Sequence, residues 1–145
     1  MPLDKWDRRF LDLAKLVSTW SKDPSTQTGA VIVDKNNQVV SVGFNGFPRK
    51  IVDDIRLDER DVKYEMIIHC EMNAVLFALR PLDGCTLYTY PFLSCSRCAA
   101  AMIQVGITRV VAPALPRDKL RWEVNMRLSK ALFSEANVEV EEIDD

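Results

Sequence analysis

Apolar residues Trp6, Phe10, Leu13, Val17 and Trp20 recur at spacings of four and three, the period of one helix face, and Asp4 and Asp7 fall where a helix amino terminus favours negative charge. The pattern predicts an amphipathic helix over residues 3–20. Turn formers fill 21–28 (SKDPSTQT). An apolar run at 29–33 (GAVIV), a polar turn at 34–37 and a second β-prone run at 38–44 (QVVSVGF) then read as a β-hairpin. Asn45-Gly46-Phe47-Pro48 ends the second strand, with Gly46 permitting a tight turn. Residues 49–63 are so rich in charge that they predict an exposed, solvated loop with one turn of helix.

In the second half, Met72, Val75, Leu76 and Leu79 form an apolar stripe that predicts a helix over 66–80, ended by Pro81 and Gly84. Residues 85–90 (CTLYTY) are β-prone, 95–105 are rich in Ala and Met as a helix should be, and 108–112 make a short apolar strand after Gly106. A further helix fills 119–134, where Trp122 and Met126, four apart, suit a core or an interface. A closing strand covers 138–140. Strands alternating with helices imply an α/β domain whose mainly parallel sheet is covered on both faces, with the hairpin at one side. No repeat or linker divides the chain, so residues 1–145 are expected to form one domain.

Composition narrows the function classes. The 145 residues are 48% apolar and 28% charged, which excludes a disordered or collagen-like chain. Nineteen basic against twenty-one acidic residues give a net charge of −2, so the chain lacks the broad basic footprint of a polynucleotide binder and a small-molecule or protein partner is favoured. No apolar run approaches the roughly 20 residues needed to span a bilayer, and no basic stretch leads into an apolar one at the amino terminus. The expectation is a soluble cytoplasmic protein with no membrane partner. Four cysteines, Cys70, Cys85, Cys95 and Cys98, are few for a disulfide scaffold.

The cysteines matter for another reason. His69-Cys70-Glu71 lies near the start of one predicted helix and Cys95-Ser96-Arg97-Cys98 opens the next. Cysteines at i and i+3 share a helical face, and the unpaired N–H groups of a helix amino terminus favour the thiolate that a metal needs. With the only histidine as third ligand, His69, Cys95 and Cys98 would hold tetrahedral Zn²⁺ and leave a fourth position for water. Zn²⁺ in such a site lowers the pKa of water to around 7, and Glu71, close by without being a ligand, can take the proton and pass it on. A redox pair at Cys95 and Cys98, or a closed structural site using Cys70 as fourth ligand, are the competing readings. The first leaves His69 and Glu71 without a task, and the second asks adjacent side chains to reach one ion.

H-x-E followed by a strand and C-x-x-C resembles the signature of the zinc-dependent nucleobase deaminases. The likeness extends through SKDPSTQTGA at 21–30, GFNGFPR at 43–49, Lys63-Tyr64 and HCEMNA at 69–74, which look like the deoxycytidylate (dCMP) deaminase family and cover most of the chain to about Val111. The resemblance implies a three-layer α/β/α cytidine-deaminase-like fold with a five-stranded mixed sheet, and hydrolysis of dCMP to dUMP and ammonia, supplying dUMP for thymidylate synthesis. It also implies a homo-oligomer, hexameric by preference, activated by dCTP and inhibited by dTTP with Mg²⁺. Carried onto this sequence, it makes His69, Cys95 and Cys98 the ligands and Glu71 the proton shuttle, gives Asn45 the sugar, and gives Ser21 and Lys22, then Arg121, the phosphate. Arg49, Lys50 and Asp54 fall in the region the family uses for effectors.

Four departures stand out. Ser94 replaces the proline usual before the first metal cysteine, and as an N-cap it would secure the same turn. Cys70 replaces an alanine, and Thr28 replaces a valine that packs under the base. Arg49-Lys50-Ile51 interrupts the Gly-Cys that follows N-G-x-P, although Asp53 and Asp54 remain. The rival functions are a superfamily deaminase acting on free cytidine, guanine or tRNA adenosine, and a non-catalytic zinc-stabilised nucleotide sensor.

Overall fold

A computed structural model of the chain describes residues 3–144. The Asp4 carboxylate accepts the N–H groups of Trp6 and Asp7, and the Asp7 carboxylate accepts the N–H of Asp4; this reciprocal cap starts α1 (Lys5–Ser18). Phe10, Leu11, Ala14 and Val17 are its buried face. The expected stripe is rotated, because Trp6 and Trp20 face solvent while Leu11 and Ala14 turn inward.

Five strands follow in one sheet: β1 (Gly29–Val33), β2 (Val39–Phe44), β3 (Thr86–Tyr90), β4 (Arg109–Pro113) and β5 (Glu139–Ile143), in the order β2-β1-β3-β4-β5. Alternation along the strands splits the core between two faces. Val31, Val33, Tyr88 and Val111 pack with α1, whereas Ala30, Ile32, Leu87, Val110 and Ala112 face the cluster that contains Ala74, Ala99, Met102 and Phe133. Those residues lie on α3 (Cys70–Ala78), α4 (Ser96–Gln104) and α5 (Glu123–Glu135), which follow the short α2 (Arg60–Met66). The three-layer α/β/α architecture with a five-stranded mixed sheet is the one the resemblance implies.

The sheet is not mainly parallel. β3–β4 and β4–β5 are parallel, but β1 is antiparallel to both β2 and β3. Each strand–helix–strand unit is parallel as expected. The crossover through α3, however, passes over β1 before β3 joins the sheet, so β1, between β2 and β3, pairs antiparallel with β3 along its whole length.

Two helix expectations are corrected. The helix expected over 66–80 is divided: Ile67 is extended, and Ile68 exchanges backbone hydrogen bonds with Gly46 before α3 begins. Leu79 ends α3 in the left-handed conformation ahead of Pro81, so Leu76 and Leu79 are exposed rather than part of a buried stripe. Residues 49–63 are mostly exposed and hold the one expected helical turn, a 3₁₀ turn at Ile55–Asp58, but α2 begins at Arg60, and Leu57 and Lys63 are buried. The helix expected from 119 begins as a 3₁₀ segment, Arg117–Trp122, before α5. Among the described residues no helix is long and apolar enough to cross a membrane.

Candidate active site

Two helix amino termini converge to make the site. His69 is the N-cap residue of α3 and Cys95 that of α4, and neither side chain caps its own helix. Their ligand atoms turn instead toward each other and toward Cys98, one turn into α4. His69 Nδ1 lies 3.5 Å from Cys95 Sγ and 3.3 Å from Cys98 Sγ, and the three ligand atoms fall within 4.8 Å of one another. A tetrahedral ion with Zn–N near 2.0 Å and Zn–S near 2.3 Å sets nitrogen and sulfur about 3.5 Å apart. The donor set and its spacing therefore fit Zn²⁺.

The electrostatics are those of a site prepared for a cation. Hydrogen bonding from the Cys98 thiol, ahead of that from His69, draws Cys95 down to about 4 in spite of burial. Cys98 is pushed up, first by its hydrogen bond to Cys95 and then by burial. A dication bound between them would hold both sulfurs as thiolates.

Close packing fixes where α3 starts. A Cβ on Gly43 of β2 would lie 2.4 Å from Cys70 O and 2.5 Å from Ala74 N, so glycine lets the α3 backbone rest directly on the strand. Gly46 differs from expectation: it has neither a positive φ nor any atom within 4 Å of a built Cβ, and its part is the backbone pairing with Ile68. At the other helix Asn125 of α5 accepts the Ser96 N–H at 2.9 Å and donates to Ser96 Oγ, tying α5 to the start of α4. Ser94 is not the N-cap. It is buried, and its hydroxyl has no hydrogen-bond partner.

Glu71 is 5% exposed and opens onto a cavity of about 560 Å³ that His69 and Cys95 also line. The Cys70 thiol lies 2.9 Å from Glu71 Oε1, and burial, then the Glu71 charge, pushes that thiol well up. Cys70 thus faces the carboxylate and stands outside the ligand group. Thr28 and Asn45 line the same cavity. Asn45 Oδ1 accepts the Thr28 N–H, while Nδ2 donates to Thr26 O at 2.9 Å and to Asp23 Oδ2 at 3.3 Å. One lone pair of Oδ1 is left for a ligand hydroxyl.

The other sequence candidates divide. Arg121 lines the cavity, with its guanidinium over the Trp122 ring. Ser21 is buried outside the lining and donates to Asn45 O, and Lys22 pairs with Asp53 at 3.1 Å on the surface. Arg49 stacks on Phe77, exposed Lys50 takes a positive φ, and Asp54 caps the 3₁₀ turn and pairs with Arg56; all three lie outside the lining. Sequence reasoning missed Arg60 of α2 and gave Lys63, named there only within the family likeness, no role; both are in the wall. Trp122 and Met126, expected in a core or an interface, do pack there, Met126 buried in the core cluster and Trp122 against it, and both line the cavity as well. Their only sequence signal is a pair four apart, which any helix face can show.

The model for the cytidine and deoxycytidylate deaminase zinc-binding region matches residues 4–114. A protein of Aliivibrio fischeri, called an uncharacterized deaminase in the luxG 3′ region, is 49% identical over 139 residues, covering 95% of this chain and 93% of the relative. The human deoxycytidylate deaminase is 34% identical over 141 residues, covering 92% of this chain and 77% of its own length. The crystal structure of a dCMP deaminase from cyanophage S-TIM5, in complex with dCMP and dUMP, superposes with a TM-score of 0.79 at 21% identity, covering 99% of this chain and all of that one.

Proposed function

The chain belongs to the cytidine and deoxycytidylate deaminase family, and from that premise we propose that it hydrolyses dCMP to dUMP and ammonia. The observation that carries the reading is that Glu71, two members of the metal group (His69 and Cys95) and two arginines, Arg60 and Arg121, line one cavity, with Cys98 completing the metal group behind them. Its volume suits a mononucleotide. Cations in its wall favour a phosphorylated pyrimidine over free cytidine or guanine.

Bound Zn²⁺ supplies a Lewis acid that makes water nucleophilic at neutral pH. Glu71, buried and within the cavity, would take one proton from the attacking water and give it to the ring nitrogen of the cytosine, then take the second from the hydroxyl left on C4 and give it to the departing amine, so that both protons of the water are used. Asn45 accepts a sugar hydroxyl at Oδ1 from an amide already locked by Thr26, Thr28 and Asp23. Arg121 takes the phosphate together with Arg60, since Ser21 is spent on Asn45 O and Lys22 on Asp53.

Supply of dUMP for thymidylate synthesis in the cytoplasm, a hexameric assembly, and activation by dCTP with inhibition by dTTP and Mg²⁺ belong to the same proposal. Arg49 and Lys50, outside the cavity, leave room for an effector nucleotide that does not displace the substrate. The test is to incubate zinc-loaded protein separately with dCMP, deoxycytidine, dCTP and single-stranded DNA, following loss of the 4-amino group by ultraviolet absorbance. Turnover confined to dCMP is expected, altered by dCTP and dTTP. No turnover on any of them, with one zinc per chain, would overturn the reading and leave another base or a non-catalytic sensor.

A further inference from the structure

The loop 21–28 and α2 meet at a buried ion pair. Lys63 Nζ lies 3.1 Å from Asp23 Oδ1, with the two side chains 7% and 5% exposed, and it also donates to Ser25 Oγ at 2.8 Å. A lysine in a charge-rich stretch is ordinarily solvated, and burying a cation is costly unless it is paired and hydrogen-bonded. Here the pairing is complete. Asp23 Oδ1 also accepts the Ser25 N–H and hydroxyl and the Thr26 N–H, and Oδ2 accepts from Asn45 Nδ2.

Beyond the ion pair, the wall that Lys63 belongs to is tied down mainly at its edges, by Arg56 over the Phe47 ring and by the Ile68–Gly46 backbone pairing just past α2. Among helices and strands, α2 packs against the 3₁₀ turn Ile55–Asp58 and nothing more. Leu57 is buried beneath it, but Ile55, Val62 and Tyr64 are exposed. Segments with few buried apolar contacts open at low cost, so one buried ion pair has disproportionate leverage over them.

We propose that Asp23 and Lys63 form a clasp that holds residues 55–66 closed over the cavity and fixes the Asn45 amide, which makes both of them positioning residues for the nucleotide. Lys63 acts on the α2 side, where Arg60 and Tyr64 also face the cavity, and Asp23 acts on the Asn45 side. The positioning role rests on the cavity being the nucleotide site, whereas closure of the wall is measurable with no nucleotide present.

The experiment compares hydrogen exchange and steady-state kinetics on dCMP for the zinc-loaded wild type, Lys63→Met, Asp23→Asn and the double variant. The double variant carries no buried unpaired charge, so it keeps the test open where a single variant fails to fold. Arg80→Ala, which breaks the distant Arg80–Asp34 pair, is the control. Amide exchange within 55–66 is expected to rise roughly tenfold in each clasp variant while β3 and α1 stay as in wild type. KM for dCMP should rise roughly tenfold with a smaller change in kcat and zinc retained. The double variant should be no worse than the poorer single one, because both remove the same link. Exchange in 55–66 equal to wild type, an unchanged KM, or the same changes in Arg80→Ala would each overturn the clasp. A wild type that is inert on dCMP would overturn the nucleotide reading instead, and exchange alone would then decide whether the wall is clasped.

Discussion

His69 Nδ1 stands 3.3 Å from Cys98 Sγ, although 29 residues separate them and the two belong to different helices. The contact exists because α3 and α4 bring their amino termini to one point, and a metal bound there joins the two. Zinc analysis should therefore find one ion per chain in the wild type and none in Cys98→Ala. At a thousandfold excess of zinc over its dissociation constant, the ion adds about 4 kcal/mol to folding, on the order of 10 °C in a chain of this size. Chelation followed by thermal melting should show a fall of that order.

Glu71 should separate chemistry from metal binding. Glu71→Gln keeps the size of the side chain but cannot accept a proton, so turnover should fall by roughly 10²- to 10⁴-fold with the zinc content unchanged. Loss of zinc in that variant would instead make Glu71 part of the metal site.

Two glycines should behave in opposite ways. Gly43→Ala drives a methyl group into the backbone of α3 at Cys70 and Ala74. It should shift the helix that begins at His69, weakening zinc binding and cutting activity together. Gly46→Ala meets open space at an ordinary φ and should leave zinc content and melting temperature close to wild type.

On the opposite face, Asp7 takes both terminal nitrogens of Arg109, at 2.7 and 2.9 Å, and the Tyr88 hydroxyl at 2.6 Å. Burial works against the Asp7 charge but is outweighed by hydrogen bonds from Arg109, Tyr88 and the Asp4 N–H and by the charge of Arg109, so the carboxyl titrates below its ordinary 3.8. A carboxyl depressed in the folded state contributes fully above that ordinary value, and its contribution is lost as pH falls through the folded pKa. Asp7→Asn should cost roughly 3 kcal/mol at neutral pH by stranding part of the Arg109 charge. Denaturation followed from pH 7 downward should show the gap to wild type narrowing below about pH 4.

The metal group was legible because it is written locally. H-x-E and C-x-x-C each occupy a single helix start, and the period and caps of those helices depend on residues within a turn or two. The alternation of strands and helices was legible for the same reason. Sheet order was not: whether β3 joins beside β1 or β2 depends on where the α3 crossover lands, which no local pattern encodes.

Burial is the other thing that only tertiary structure decided. Lys63 sits in a stretch whose average is charged, and its removal from water depends on Asp23, forty residues earlier in the chain. Trp6, Leu76 and Leu79 fit an apolar stripe by spacing yet stay exposed, because the face a helix buries is set by what packs against it. By itself the sequence determined most of the elements and pointed to the His69, Cys95 and Cys98 group with Glu71 beside it, all through short-range chemistry. The fold decided which loops close around them, because that depends on partners far apart in the chain and on how much water the finished structure excludes.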